Sequence, residues 1–192
     1  RCRQNIRSGQ IMDDNALLAW KAQVLKIAAS KAVAYYKRGT VTKKFINYVM
    51  QLSFLNDGPH LVEECLAKNG IHFVILPHLQ KTHLDGASFM TENGIPIVAL
   101  TLRYDRIDNF WFTLAHELAH IQLHLGKDDN DCFIDDDFKV GGDAKEVEAD
   151  MLAREAIMPV RTWERVSDGL SNENIYERAD AARLHPAILA GR

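Results

Sequence analysis

The run His116-Glu117-Leu118-Ala119-His120 sets two imidazoles four residues apart, with a carboxylate directly after the first. On a helix, residues i and i+4 share a face, so both rings can reach one cation while Glu117 projects beside them. That is the HExxH spacing of zinc hydrolases, in which the glutamate handles protons. The flanking residues, Phe110 to Leu125, are apolar on nearly every side and read as a buried central helix. Surface histidines without a role are the bland alternative. A buried helix argues against it, because polar groups there must be satisfied and a metal ion does so.

A catalytic zinc needs a third protein ligand and an open fourth position. Downstream, Lys145-Glu146-Val147-Glu148-Ala149-Asp150 offers three carboxylates. At about 3.6 residues per turn, Glu146 and Asp150 share a face, whereas Glu148 is rotated roughly 200° from Glu146. Glu146 is therefore assigned as the ligand and Asp150 as the acceptor that orients a ligating imidazole through its other ring nitrogen. Glu148 is the alternative ligand. Taken alone, the segment would be an ordinary acidic helix start.

A site of this composition lowers the pKa of water at the metal and polarises a carbonyl, the requirements of peptide hydrolysis. Glu117 is the expected base, and returns its proton to the departing amine. A donor for the developing oxyanion is also needed, and Tyr104, His83 and His185 are candidates by chemistry alone. His124 extends the face of His116 and His120 by one turn. It either touches substrate or hydrogen-bonds Asp150, and is not assigned as a ligand.

These residues resemble the ImmA/IrrE metallopeptidases. The likeness rests on the FTLAHELAHIQLH stretch from Phe112 to His124, on EVEAD from Glu146 to Asp150, and on Ile157-Met158-Pro159, where the family usually reads Leu-Met-Pro. Leu84-Asp85-Gly86-Ala87-Ser88 and Ile95-Pro96-Ile97-Val98 are similar to its strand pair, so the resemblance spans roughly residues 70 to 190. It implies a compact α+β domain binding one Zn2+, often joined to a helix-turn-helix DNA-binding domain and concerned with stress, phage or mobile-element regulation. The ExxxD element of the family favours Glu146 over Glu148. The family commonly carries Asn at the place of Asp150, and either residue accepts a hydrogen bond.

The 192 residues, 47% apolar and 26% charged, suffice for a sizeable core. No apolar stretch approaches the roughly 20 residues that span a bilayer, and the start lacks the pattern of a secretory signal. Cys2, Cys65 and Cys132 are odd in number and without CxxC spacing, which fits a reducing cytoplasm better than a disulfide framework. Cys132 lies between the ligand segments, where an inhibitory fourth ligand is conceivable, although a plain loop cysteine is the commoner case. The chain begins at Arg1, and the expectation is that further residues precede it.

The net charge of −3 hides an asymmetry. From Arg1 to Lys44, ten basic residues face only Asp13 and Asp14, a pattern that fits a solvated helix face better than nucleic-acid contact, since no base-reading motif accompanies it. Any DNA contact is expected through the upstream domain. Lys127 to Asp137 is strongly acidic, joins the two ligand segments, and does not match a calcium loop. A solvated loop, or one that gates substrate or attracts cations, accounts for it.

The elements that must position the site follow from periodicity. A long helix is expected from about Asn15 to Lys37, stopped by Gly39. Thr42 caps a second helix and Asp57 a third, which ends at Asn69-Gly70. Ile71 to Leu76 reads as a strand, and residues 87–91 and 95–102 form a hairpin with Asn93-Gly94 at the turn. The expected fold is α+β: a small mixed sheet packed on the central HExxH helix, a helical N-terminal segment over 1–69, and a metallopeptidase domain over 70–192 that ends in helices. Two functions compete. One is a zinc endopeptidase that cleaves a cytoplasmic regulator of repressor or antitoxin type. The other is a non-catalytic zinc-containing sensor or interaction module of a transcription regulator or toxin–antitoxin system, in which the metal serves folding.

Overall fold

The computed structural model describes residues 13–77, 79, 82, 84–125 and 144–191. Helix α1 (Asp14–Ala29) is followed by α2 (Lys43–Gln51), a 3-10 turn (Leu52–Phe54) and α3 (Gly58–Lys68). Strands β1 (His72–Ile75), β2 (Gly86–Met90) and β3 (Pro96–Leu100) precede α4 (Ile107–Leu123). The remaining helices are α5 (Ala144–Ile157), α6 (Val160–Ser167), α7 (Ile175–Ala182) and α8 (Pro186–Ala190). The architecture is α+β. No helix among the described residues is long and apolar enough to cross a membrane. Cys2, His83, Cys132, the first residues of the basic segment and the acidic run 127–137 lie outside the described residues.

The sheet has strand order β1-β3-β2, with β1 parallel and β2 antiparallel to β3. Because successive strand residues point to opposite faces, each strand contributes to two cores. Val74, Ala87, Phe89, Ile97 and Ala99 pack on Leu17, Trp20, Val24 and Ala28 of α1. Phe73, Val98 and Leu100 face the other way, into a core built with α2, α3, α4 and α5. Strand β3 is accordingly buried on both faces. Gly86 and Ser88 alternate with the α1-facing Ala87 and Phe89, and so face α4.

One expected helix boundary needs correction. Helix α1 ends at Ala29, capped by Ser30, rather than continuing to Lys37. The apolar spacing of residues 32–37 is real, but tertiary contacts use it differently: the Ala34 N–H donates to the Ala67 carbonyl at 2.8 Å, and Gly70, with φ +75°, closes on the backbone of Tyr36. The chain thus crosses the end of α3 instead of propagating a helix. The hairpin forms as expected: β2 pairs antiparallel with β3, and Asn93-Gly94 lies in the turn between them, where Gly94 takes positive φ (+72°). Thr91 bridges this turn, its hydroxyl accepting from the Ile95 N–H at 3.0 Å.

Thr42 does cap α2, accepting from the Phe45 N–H, whereas Asp57 precedes α3 without a side-chain cap. Several basic residues near the start of the chain have structural partners. Lys31 pairs with Glu63 at 2.8 Å, Lys43 with Glu155 at 3.1 Å, and Lys21 stands over the Phe89 ring.

Candidate metal centre

Helix α4 is the centre of the molecule: every residue from Thr113 to Ile121 is buried. It lies against β2 and β3 on one side and α5 on another. Helix α5 presents Ala149, Ala153 and Ala156 inward, and this small-residue seam lets the two helix backbones approach closely enough for short carboxylates to reach α4. Helix α2 holds α5 in place. The Asn47 amide donates to the Ala156 carbonyl at 2.8 Å, and Lys43 pairs with Glu155, whose other oxygen accepts from the Val160 N–H.

That placement brings His116, His120 and Glu146 together. The two Nε2 atoms stand 2.9 Å apart, with Glu146 Oε2 3.1 Å from His116 Nε2 and Glu146 Oε1 3.3 Å from His120 Nε2. At zinc–ligand bonds of about 2.0–2.1 Å, the edges of a tetrahedron are about 3.4 Å long, so the triangle has nearly the size that one Zn2+ requires. Hydrogen-bond chemistry agrees. The His116 Nδ1–H donates to Asp150 Oδ1 at 2.8 Å, which leaves the neutral ring with only a lone pair on Nε2, facing a second imidazole and a carboxylate. A cation reconciles these acceptors. The residues present therefore fit zinc.

The electrostatics of the site point the same way. Burial disfavours a charged His116, but the hydrogen bonds with Asp150 and Glu146 outweigh it, and the imidazole is pushed up to about 10. Burial would raise Glu146, yet the two imidazoles hold it well below the usual carboxylate range. The site is thus organised to keep one positive charge among these groups, which a proton or a metal ion can supply.

Glu117 sits on the sheet side of α4, 6% exposed. Burial raises its pKa, opposed by the neighbouring histidines and a hydrogen bond from Ser88. Gly86 makes room for it, since a Cβ there would lie 2.9 Å from Glu117 Oε1 and 2.7 Å from Thr113 Cγ2. Neither Gly86 nor Ser88 was singled out from sequence. The available signal was alternation, which puts both on one strand face, but only the fold shows that this face meets Glu117.

The other candidates lie as follows. Asp150 takes the oriented position on His116, while Glu148 is exposed, its nearest partner being His124 at 3.9 Å. His124 is buried and donates through Nε2 to the Lys145 carbonyl at 3.0 Å rather than to Asp150. Tyr104 is 42% exposed, beneath the Arg103 guanidinium, on the rim of a cavity at the start of α4. His185 caps α8, its Nδ1 accepting from the Ala187 N–H at 3.1 Å while its backbone N–H meets Ser53.

Residues 67–168 match the family model described as the IrrE N-terminal-like domain, a peptidase family. The match covers more than half of the chain, from the end of α3 through α6, and includes every residue of the triangle. No curated protein and no solved structure matches the chain.

Proposed function

We propose that the chain, which belongs to the IrrE N-terminal-like peptidase family, is a zinc-dependent endopeptidase that hydrolyses a specific regulatory protein of repressor or antitoxin type. The observation that carries this reading is the triangle of His116, His120 and Glu146 with Glu117 beside it on the same helix. A buried metal site that served folding alone would have no use for a buried carboxylate placed beside the triangle without being one of its corners.

Zinc, when bound, supplies a Lewis acid that acidifies water and polarises the peptide carbonyl. His116, His120 and Glu146 would hold it. Asp150 fixes the His116 tautomer, keeping the Nε2 lone pair turned into the site. Glu117 accepts a proton from the attacking water on its carboxylate and delivers it to the amine nitrogen as the peptide bond breaks. Ser88 and the space left by Gly86 hold that carboxylate in place. Regulation is the proposed context because the resemblance to the ImmA/IrrE metallopeptidases implies it.

Glu117→Gln keeps shape and hydrogen bonding but removes the base. The expected result is retained zinc and retained binding of a co-encoded regulator, with cleavage of that regulator lost. If wild type and variant leave the regulator with equal half-lives in cells, the non-catalytic reading replaces this one.

A further inference from the structure

Beside the metal centre, a cavity of about 410 Å³ opens at the start of α4, lined by residues that include Tyr104, Asn109, Trp111, Phe112, Arg154 and Ile188. Phe112 joins it to the site. Its ring lies 6.2 Å from the His116 ring on one side, and the Arg154 guanidinium stands over it at 5.9 Å. Arg154 is on α5, one turn beyond Asp150 and two beyond Glu146, so the face that reaches His116 continues directly into the cavity wall.

The cavity also contains Arg106 and Asp108, but these two neutralise each other through a two-pronged ion pair. Among the described residues, no carboxylate comes within ion-pair distance of Arg154. Its charge therefore sets the sign of the cavity. Around it stand aromatic and aliphatic walls and further polar groups of Asn109 and Tyr104. A pocket of mixed aromatic, aliphatic and polar lining, with one guanidinium that no described carboxylate pairs, suits a carboxylate on a short aliphatic stem.

We propose that this cavity is a substrate subsite in which Arg154 selects a carboxylate of the polypeptide to be cleaved. The inference rests on the endopeptidase reading above. Two successive contacts of about 6 Å separate the guanidinium from the His116 ring. Extended chain rises about 3.4 Å per residue, so the selected residue lies on the order of three residues or fewer from the scissile bond. An internal Asp or Glu side chain and a free C-terminal carboxylate offer the same chemistry and are separated below.

The test measures binding apart from turnover. Zinc-loaded Glu117→Gln protein is titrated into fluorescently labelled nonapeptides of alanine and leucine, N-acetylated and C-amidated, with one Glu stepped through every position, and into the same set with Gln. A third arm carries Gln throughout and a free C-terminus. Anisotropy should show Glu favoured over Gln about 5- to 10-fold at one or two adjacent positions, weakening with added salt. The free C-terminus should bind better than its amide only if the terminal carboxylate is the ligand. Arg154→Ala should erase the preference and Arg154→Glu should turn it toward Lys, with zinc content unchanged; Arg154 is exposed, so neither change disturbs the core. The proposal is overturned if no position and no terminus prefers a carboxylate, or if the preference survives in Arg154→Ala. Carboxylate preference together with equal half-lives of the co-encoded regulator in cells expressing wild type or Glu117→Gln would sink the endopeptidase reading and leave the subsite; cleavage of that regulator without the preference would do the reverse.

Discussion

His116 and Asp150, from two helices and 34 residues apart in the chain, meet through an Nδ1–H···Oδ1 hydrogen bond of 2.8 Å that fixes which ring nitrogen faces the metal triangle. The bond turns His116 from a ring with two interchangeable nitrogens into a directional ligand.

Removing that acceptor should weaken zinc without abolishing it. Asp150→Ala is expected to cost roughly 10- to 100-fold in zinc affinity, whereas Asp150→Asn, which keeps an oxygen acceptor, should cost clearly less. Competition against a chromophoric chelator measures both. Equal affinity for wild type and Asp150→Ala would mean that the bond does not orient the ligand.

The carboxylates of α5 should separate cleanly. Glu146→Ala is expected to lose stoichiometric zinc, because it removes one corner of the triangle, and Glu148→Ala to keep it, because that side chain is 61% exposed beside His124. Elemental analysis of the purified proteins decides the matter, and the opposite pattern would make Glu148 the ligand.

The metal-free chain should respond to pH through the same groups. The His116 pKa rises from 6.5 to about 10 in the fold. Its contribution to stability is therefore complete below about pH 6.5 and disappears as pH climbs through about 10. Glu146 is shifted the other way, so its contribution is present above its ordinary value of 4.5 and is lost as pH falls below it. These two groups alone place the stability maximum of the metal-free chain between about pH 4.5 and 6.5. Zinc must displace the His116 proton, so its apparent affinity should rise by up to about tenfold per pH unit below 10, with about one proton released. Calorimetry in buffers of different ionisation heat counts that proton; zinc binding with no proton release would contradict the charge assignment.

Zinc should also stabilise the fold by mass action, by about 2.7 kcal/mol when free metal exceeds its Kd a hundredfold. At about 2–4 °C per kcal/mol for a chain of this size, chelation should lower Tm by roughly 5–10 °C. An unchanged Tm on chelation and reloading would argue that the triangle holds no metal.

Gly86→Ala tests the packing behind Glu117. A Cβ there enters the space of Thr113 and Glu117, so the expected loss is about 1–3 kcal/mol of stability together with reduced cleavage. Zinc binding should be nearly preserved, because the atoms a Cβ would meet belong to Thr113 and Glu117 and not to His116, His120 or Glu146. Denaturant unfolding and metal titration separate the two effects.

Local spacing made much of the molecule legible. The HExxH run lies on α4, the Thr42 cap begins α2, and the apolar alternation of residues 86–100 forms β2 and β3, because each depends on neighbours within a turn or a hairpin. The helical phase of Glu146, Asp150 and Glu148 likewise follows from about 3.6 residues per turn, whatever the rest of the chain does. Sequence could not place the end of α1: residues 34–36 spend their backbone and packing on the end of α3, a contact made some 30 residues away. Nor could it show that Ser88 and Gly86 shape the surroundings of Glu117, that His185 caps a helix, or that Arg154 stands over Phe112. Those relationships depend on which face of one element meets another. Helical and strand periods state which residues share a face; only the packing of α4 between the sheet and α5 decides what each face touches.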